Sequence, residues 1–250
     1  MSNFLEVVGL SINFGGLYAV SNLDFTVERE EIVGIIGPNG AGKTTLFNLL
    51  TGFLVPTEGN VIFKGKSMVR RKPHQIVDRG ISRTFQLVRP FQQMSVLENV
   101  MVPHLSPKKK RKNKGRAENQ RQSARILDQV GLGDKMHLLA ADLSHGDLRR
   151  LELARALAAE PELLLLDEPF SGLASKEIEV LLTLIRGVSE RGLTIIVIEH
   201  KLRELMKLVK RVITLNFGKK IADGTPQEIA RNEAVIKAYL GKGGKKFVSS

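Results

Sequence analysis

Residues 37–45 read GPNGAGKTT, preceded by the apolar run Ile32, Val33, Ile35 and Ile36 and followed by LFNLLTG. A buried strand that ends here must turn through conformations that glycine adopts cheaply, then start a helix whose free N–H groups point at an anion. The stretch fits G-x-x-x-x-G-K-[ST], the phosphate-binding loop, and the strand before it and helical spacing after it agree with that pattern. The candidate phosphate-binding set is Gly37, Pro38, Asn39, Gly40, Ala41, Gly42, Lys43, Thr44 and Thr45. Lys43 is placed to reach the β- and γ-phosphates as a point charge, and the Thr44 hydroxyl to ligate a bridging Mg²⁺. The bland alternative is a glycine-rich strand-to-helix turn with an incidental lysine. Binding of a nucleoside triphosphate is the expectation.

Working outward, 250 residues suffice to bury a proper core. Hydrophobic residues at 42% and charged ones at 26% are ordinary for a soluble globular protein. The absence of cysteine excludes disulfides and thiolate metal sites. No apolar run approaches the roughly 18 residues of a membrane span, and the N-terminal MSNFLEVVGL lacks the basic flank of a secretory signal, so cytosol is expected. A net charge of +12 asks for an anionic partner without choosing among nucleic acid, membrane surface and phosphate.

Residues 5–10, 23–27 and 61–63 alternate like antiparallel strands, with turn residues at Gly15, Gly16 and 56–60 between them. Phe14 sits among polar residues and glycine, where it serves either local core or as a platform for a nucleotide base. After a strand-like run at 81–84 come Phe85 and Gln86, and from 96 to 159 the sequence turns helical. Val96, Leu97, Val100 and Met101 make one helical face, and Ile126, Leu127 and Val130 another. Between them, 107–116 reads PKKKRKNKGR. It suits a solvated loop, a contact with lipid headgroups or a partner, or a targeting signal or nucleic-acid arm, but no aromatic residue interleaves to stack on bases.

Residues 141–175 carry most of the remaining information. Ser144 reads as an N-cap for a helix stopped by Glu160-Pro161. The apolar strand 163–166 delivers Asp167 and Glu168 at its C-terminal end, where open parallel sheets bind ligands. One carboxylate there suits Mg²⁺ and the next suits a water; capping of the following helix is the plain alternative. A further apolar strand, 193–198, ends in Glu199-His200, and His200 is expected to contact a γ-phosphate rather than serve as a cap or core residue. Short strands at 212–215 and 220–222 and short helices after Pro226 and Glu233 follow. The basic, glycine-containing stretch 241–250 is expected to be mobile.

The order and spacing of GPNGAGKTT, Gln86, LSHGD, LLLLDEP and His200 resemble the ATP-binding cassette ATPases over essentially the whole chain. More narrowly, RTFQLVRPFQQMSVLENVMV, LRRLELARAL and IEHKL resemble the ATPase subunit of branched-chain amino acid importers. The resemblance implies an α/β fold: a phosphate-loop NTPase core with a mainly parallel sheet, an antiparallel β subdomain and a helical subdomain. Residues 1–87 and 159–240 would form the core with its β subdomain, 88–158 the helical subdomain and 241–250 a mobile tail. It implies that Phe14 stacks on adenine and that Lys43 and Thr44 hold phosphates and Mg²⁺. Gln86 would reach metal and water, Asp167 would bind Mg²⁺, Glu168 would be the general base and His200 would touch the γ-phosphate. Ser144, Gly146 and Asp147 occupy the positions that contact ATP held by the partner subunit. Partners implied are transmembrane permease subunits, a second copy or a paralogous ATPase subunit, and indirectly an extracytoplasmic solute-binding protein, with the chain peripheral at the inner face of the cell membrane. A soluble cassette ATPase working as a regulatory or nucleic-acid clamp is the alternative, favoured only by the charge.

Three positions depart from the family pattern. His145 and Asp147 replace the first glycine and the glutamine of LSGGQ, and Ala174 stands where an acidic or amide residue is usual. The Asp147 charge is expected to oppose approach of the partner's phosphates unless Lys, Arg or a protonated His145 screens it.

Overall fold

The computed structural model describes residues 4–85, 89–106 and 115–240. Gln86, the run 107–114 and the tail 241–250 lie outside them, so the expectations for Gln86, the basic run and a mobile tail fall outside the described residues. The chain divides into two compact units, one drawn from Met1–Ile76 and Thr194–Ser250, the other from Val77–Leu193.

In the first unit the strand entering GPNGAGKTT is β3 (Ile32–Ile36), and α1 (Lys43–Leu50) leaves it. β3 pairs in parallel with β8 (Thr194–Ile198) and β9 (Arg211–Asn216), and β10 (Lys219–Gly224) closes the edge antiparallel to β9. Valine and isoleucine fill β3 and β8 because both faces are covered, and β8 is buried at every position. A second sheet has the order β2-β1-β4-β5, from β1 (Leu5–Phe14), β2 (Leu17–Val27), β4 (Glu58–Phe63) and β5 (Lys66–Ser67). The expected antiparallel strands are all present, β1 and β2 longer than their alternation suggests. A bulge at Gly9, held by Asp24 Oδ1 at 2.7 Å, breaks the period-two pattern that sequence periodicity relies on. α2 (Pro73–Asp78) follows this sheet.

In the second unit β6 (Ile81–Arg83) and β7 (Leu163–Asp167) pair in parallel, Arg83 opposite Leu165. Around them are α3 (Val96–Met101), α4 (Arg116–Gln129), α5 (His145–Ala158) and α6 (Ser175–Ser189). α3 buries Val96, Leu97 and Val100 against α4 and α5, while α4 buries Ile126 and Leu127. Each such side chain contributes about 1.5–3 kcal/mol. The start of α3 is fixed by a capping box between Ser95 and Glu98. Asn99, fully buried, donates to the carbonyls of Phe91 and Ser95 and accepts from the Phe91 amide, satisfying the turn ahead of the helix. α5 ends as the sequence predicts: Glu160 takes a left-handed φ of 53° and Pro161 prevents continuation. This unit is wider than the helical segment 88–158, because the β6–β7 ladder and α6 group with the helices.

The first unit ends with α7 (Leu202–Leu208), α8 (Pro226–Arg231) and α9 (Glu233–Leu240). Among the described residues no helix is long and apolar enough to cross a membrane.

Candidate functional site

In the first unit the phosphate loop leaves the C-terminal end of β3. A Cβ at Gly37 would run into the Leu215 carbonyl, and one at Gly42 into the Ala19 carbonyl, with Gly42 at a left-handed φ of 98° as N-cap of α1. Lys43 is 6% exposed and donates through Nζ to the carbonyls of Gly37 (2.6 Å) and Pro38 (2.9 Å). A buried ammonium needs such partners, and here they hold it within the loop. Thr44 is exposed on the first turn of α1, where the helix N–H groups lack intrahelical acceptors.

The loop is braced from outside by contacts its own sequence does not announce. Gly218, in the turn between β9 and β10, donates to the Ala41 carbonyl (3.0 Å) and accepts from Ser21 of β2 (2.9 Å). A cleft of about 520 Å³ between the loop and α9 is lined by Pro38, Asn39, Ala41, Phe217, Ala234 and Lys237. Tyr239 of α9 lies against Gly37: burial pushes its phenol up to about 12, and a hydrogen bond with the Gly37 backbone acts in the opposite direction.

Phe14 ends β1 and is 51% exposed, paired in register with Leu17 two residues before the Ala19 carbonyl that abuts Gly42. The hairpin that carries this half-exposed ring therefore lies beside the phosphate loop, an arrangement suited to stacking and unlike local core. His200 is exposed just beyond β8, and because Ile198 pairs with Ile35 it emerges at the same strand ends as the loop. Glu199, 2% exposed, fixes that exit by accepting from the amides of His200 (2.8 Å) and Lys201 (3.0 Å).

The second unit carries the carboxylates. Asp167, at the end of β7 and 3% exposed, accepts from Arg83 Nη2 through Oδ2 at 2.6 Å, and its amide donates to Thr84 Oγ1. Arg83 is equally enclosed, with 6% of its side chain exposed, and its guanidinium carbon lies 5.2 Å from the Phe85 ring centroid. Glu168 follows in the left-handed region at φ 48°, a conformation costly for a residue with a long side chain and concentrated at functional sites. The Phe85 amide, one residue before Gln86, donates to Glu152 of α5 (2.7 Å), which Arg149 also pairs. Burial pushes the Glu152 carboxyl up; the Phe85 amide and Arg149 pull it back only in part.

Ser144 caps α5 as expected, its hydroxyl accepting from the Asp147 amide (3.2 Å). Gly146 faces Glu177, whose carboxylate also accepts from the Ala174 amide (2.8 Å), so the start of α6 is capped despite the alanine. His145 turns its Nε2 toward the Ser171 carbonyl, 3.3 Å away. At Asp147 the structure supplies the condition under which no opposing charge was expected. Its carboxylate, 6% exposed, is paired with Lys135 Nζ at 2.7 Å and with Arg150, so the screening that the sequence left open is supplied inside the chain. Burial pushes this carboxyl up, but Lys135, Ser144 and Arg150 together outweigh burial and leave it below the usual carboxylate range.

Asp147→Asn is therefore expected to cost about 1–3 kcal/mol of stability at pH 7 and not to strengthen association with a partner subunit. A carboxyl held low in the folded state stabilises above its unfolded value and loses that contribution as pH falls toward the folded one. The melting-temperature gap between wild type and Asp147→Asn should thus close as pH drops below about 4; a gap that persists there would contradict the pairing.

Comparison with known proteins gives a consistent picture. The family model described as "ABC transporter" matches residues 20–171, and one described as "Branched-chain amino acid ATP-binding cassette transporter" matches 219–245. The high-affinity branched-chain amino acid transport ATP-binding protein BraF of Pseudomonas aeruginosa is 41% identical, over 95% of this chain and 98% of that protein. LivG of Escherichia coli K12, with the same description, matches at the same identity and coverage. Among solved structures, the ADP conformation of MJ1267, an ATP-binding cassette of an ABC transporter, superposes with a TM-score of 0.88 at 28% identity, covering 97% of this chain and all of that one. The dimeric bacterial cassette MJ0796 superposes at 0.79 and 26% identity, over 89% of this chain and 98% of that one.

Proposed function

This chain belongs to the ABC transporter ATPase family, and from that premise we propose that it is the ATP-hydrolysing subunit of an importer for branched-chain amino acids. The observation that carries the amino-acid assignment is the 41% identity to BraF and LivG along nearly the full length of all three chains, together with the separate C-terminal match at 219–245.

The roles are those the family resemblance implies, and the chemistry of the residues suits them. Residues 37–45 cradle the phosphates, with Lys43 supplying positive charge, and Phe14 offers a face to the adenine. Mg²⁺ fits the oxygen donors available: it takes one or two carboxylates and completes its shell with water and substrate phosphates. By the family resemblance Asp167, the Thr44 hydroxyl and Gln86 would be that set, and among the described residues no three His, Cys, Asp or Glu side chains gather into a cage of their own. Bound there, the ion would neutralise charge on the phosphates. Glu168 accepts the proton of the attacking water, and His200 donates a hydrogen bond to the γ-phosphate. Ser144 and Gly146 contact ATP on the partner subunit, while Asp147 supports them through its amide and its internal ion pairs. ATP that contacts both subunits favours the closed pair by its differential affinity, hydrolysis removes that advantage, and the motion is delivered to permease subunits at the inner membrane face.

Affinity purification of the tagged chain from detergent-solubilised cells tests the assignment. Recovery of permease-type membrane proteins is the expected result. Salt-sensitive retention of nucleic acid with no membrane protein would instead support a soluble clamp.

A further inference from the structure

The Arg83–Asp167 pair is not explained by nucleotide binding alone. Arg83 leaves β6 opposite Leu165, and the strand register sets its guanidinium on the Asp167 carboxylate at 2.6 Å, with 6% and 3% of the two side chains exposed. Placing two charges in so dry a position is costly, and the attraction is correspondingly strong. We propose that Arg83 is a positioning residue that competes with Mg²⁺ for Asp167 and thereby sets how much Mg²⁺ the protein needs to bind ATP. The inference rests on the assignment of Asp167 to the metal.

A dication approaching Asp167 meets a fixed cation already hydrogen-bonded to Oδ2. It must either accept the other oxygen beside that charge or displace the guanidinium. Displacement has a receiving surface, because the Phe85 ring already lies 5.2 Å from the guanidinium carbon. A cation on an aromatic face keeps part of its stabilisation when it leaves a carboxylate. Phe85 in turn is tied through its amide to Glu152, so the receiving ring is held in place.

The test is the Mg²⁺ concentration giving half-maximal binding of a fluorescent ATP analogue, measured for the full chain and its variants. Arg83→Gln removes the competing charge and should lower that concentration by about ten- to a hundredfold, the worth of a charge-assisted hydrogen bond. It should also lower the melting temperature without ligand, with a larger gain on adding Mg²⁺ and ATP. Phe85→Leu, at a half-exposed position, removes the receiving surface and should raise the concentration by about threefold. An unchanged or higher requirement in Arg83→Gln, or, where that variant does not fold, an unchanged one in Phe85→Leu, overturns the proposal. Asp167→Asn separates the two levels. If it leaves the Mg²⁺ requirement as in wild type, the metal assignment fails and the inference with it; if it weakens Mg²⁺ dependence while Arg83→Gln gives no decrease, the Arg83 inference alone fails.

Discussion

Glu168→Gln is expected to bind ATP as wild type does and to hydrolyse it about 10²- to 10⁴-fold more slowly. The amide matches the carboxylate in size and keeps hydrogen-bonding capacity, so nucleotide binding and the left-handed turn at φ 48° should survive. What it lacks is a site that accepts a proton from water. Equilibrium binding of labelled ATP and the rate of phosphate release separate the two properties. Turnover at the wild-type rate would remove Glu168 from the role of base; loss of ATP binding would mean that the substitution had disturbed the strand end itself.

Lys43→Ala should lose nucleotide affinity by about ten- to a hundredfold for ATP, from a charge-assisted contact worth about 1.5–3 kcal/mol. The structure adds a complication that the sequence does not show: Lys43 also donates to the carbonyls of Gly37 and Pro38, so its removal takes a brace from the loop. Lys43→Arg restores charge without the same reach into the loop. Calorimetry of ATP and ADP on both variants, with melting temperatures alongside, distinguishes lost charge from lost loop structure. Unchanged affinity in Lys43→Ala would place the phosphates elsewhere.

The parts of the site that were legible are those written in contiguous residues. GPNGAGKTT sits between a strand and a helix, Ser144 caps α5, and the apolar run of β7 delivers Asp167 at its end. In each case a local rule of backbone conformation or periodicity is enough. What stayed hidden depends on register between distant segments. Arg83 and Asp167 are 84 positions apart and meet because β6 and β7 pair as they do. Lys135 reaches Asp147 from the turn after α4, and no charge pattern within α5 reports that partner. Tyr239 touches Gly37 only because the final helix returns to the phosphate loop. The cations beside Asp147 stayed hidden for the same reason: the sequence showed the carboxylate and its helix and left open which Lys or Arg would screen it, and the fold supplied Lys135.

The proposed role of this ATPase is to drive uptake of branched-chain amino acids. Its most direct test is the initial rate of labelled leucine, isoleucine and valine uptake in cells of the source organism lacking the gene and complemented with wild type or Glu168→Gln. Restored uptake with wild type and none with Glu168→Gln is the predicted result. Uptake that survives loss of the gene, or that Glu168→Gln restores fully, would contradict the claim.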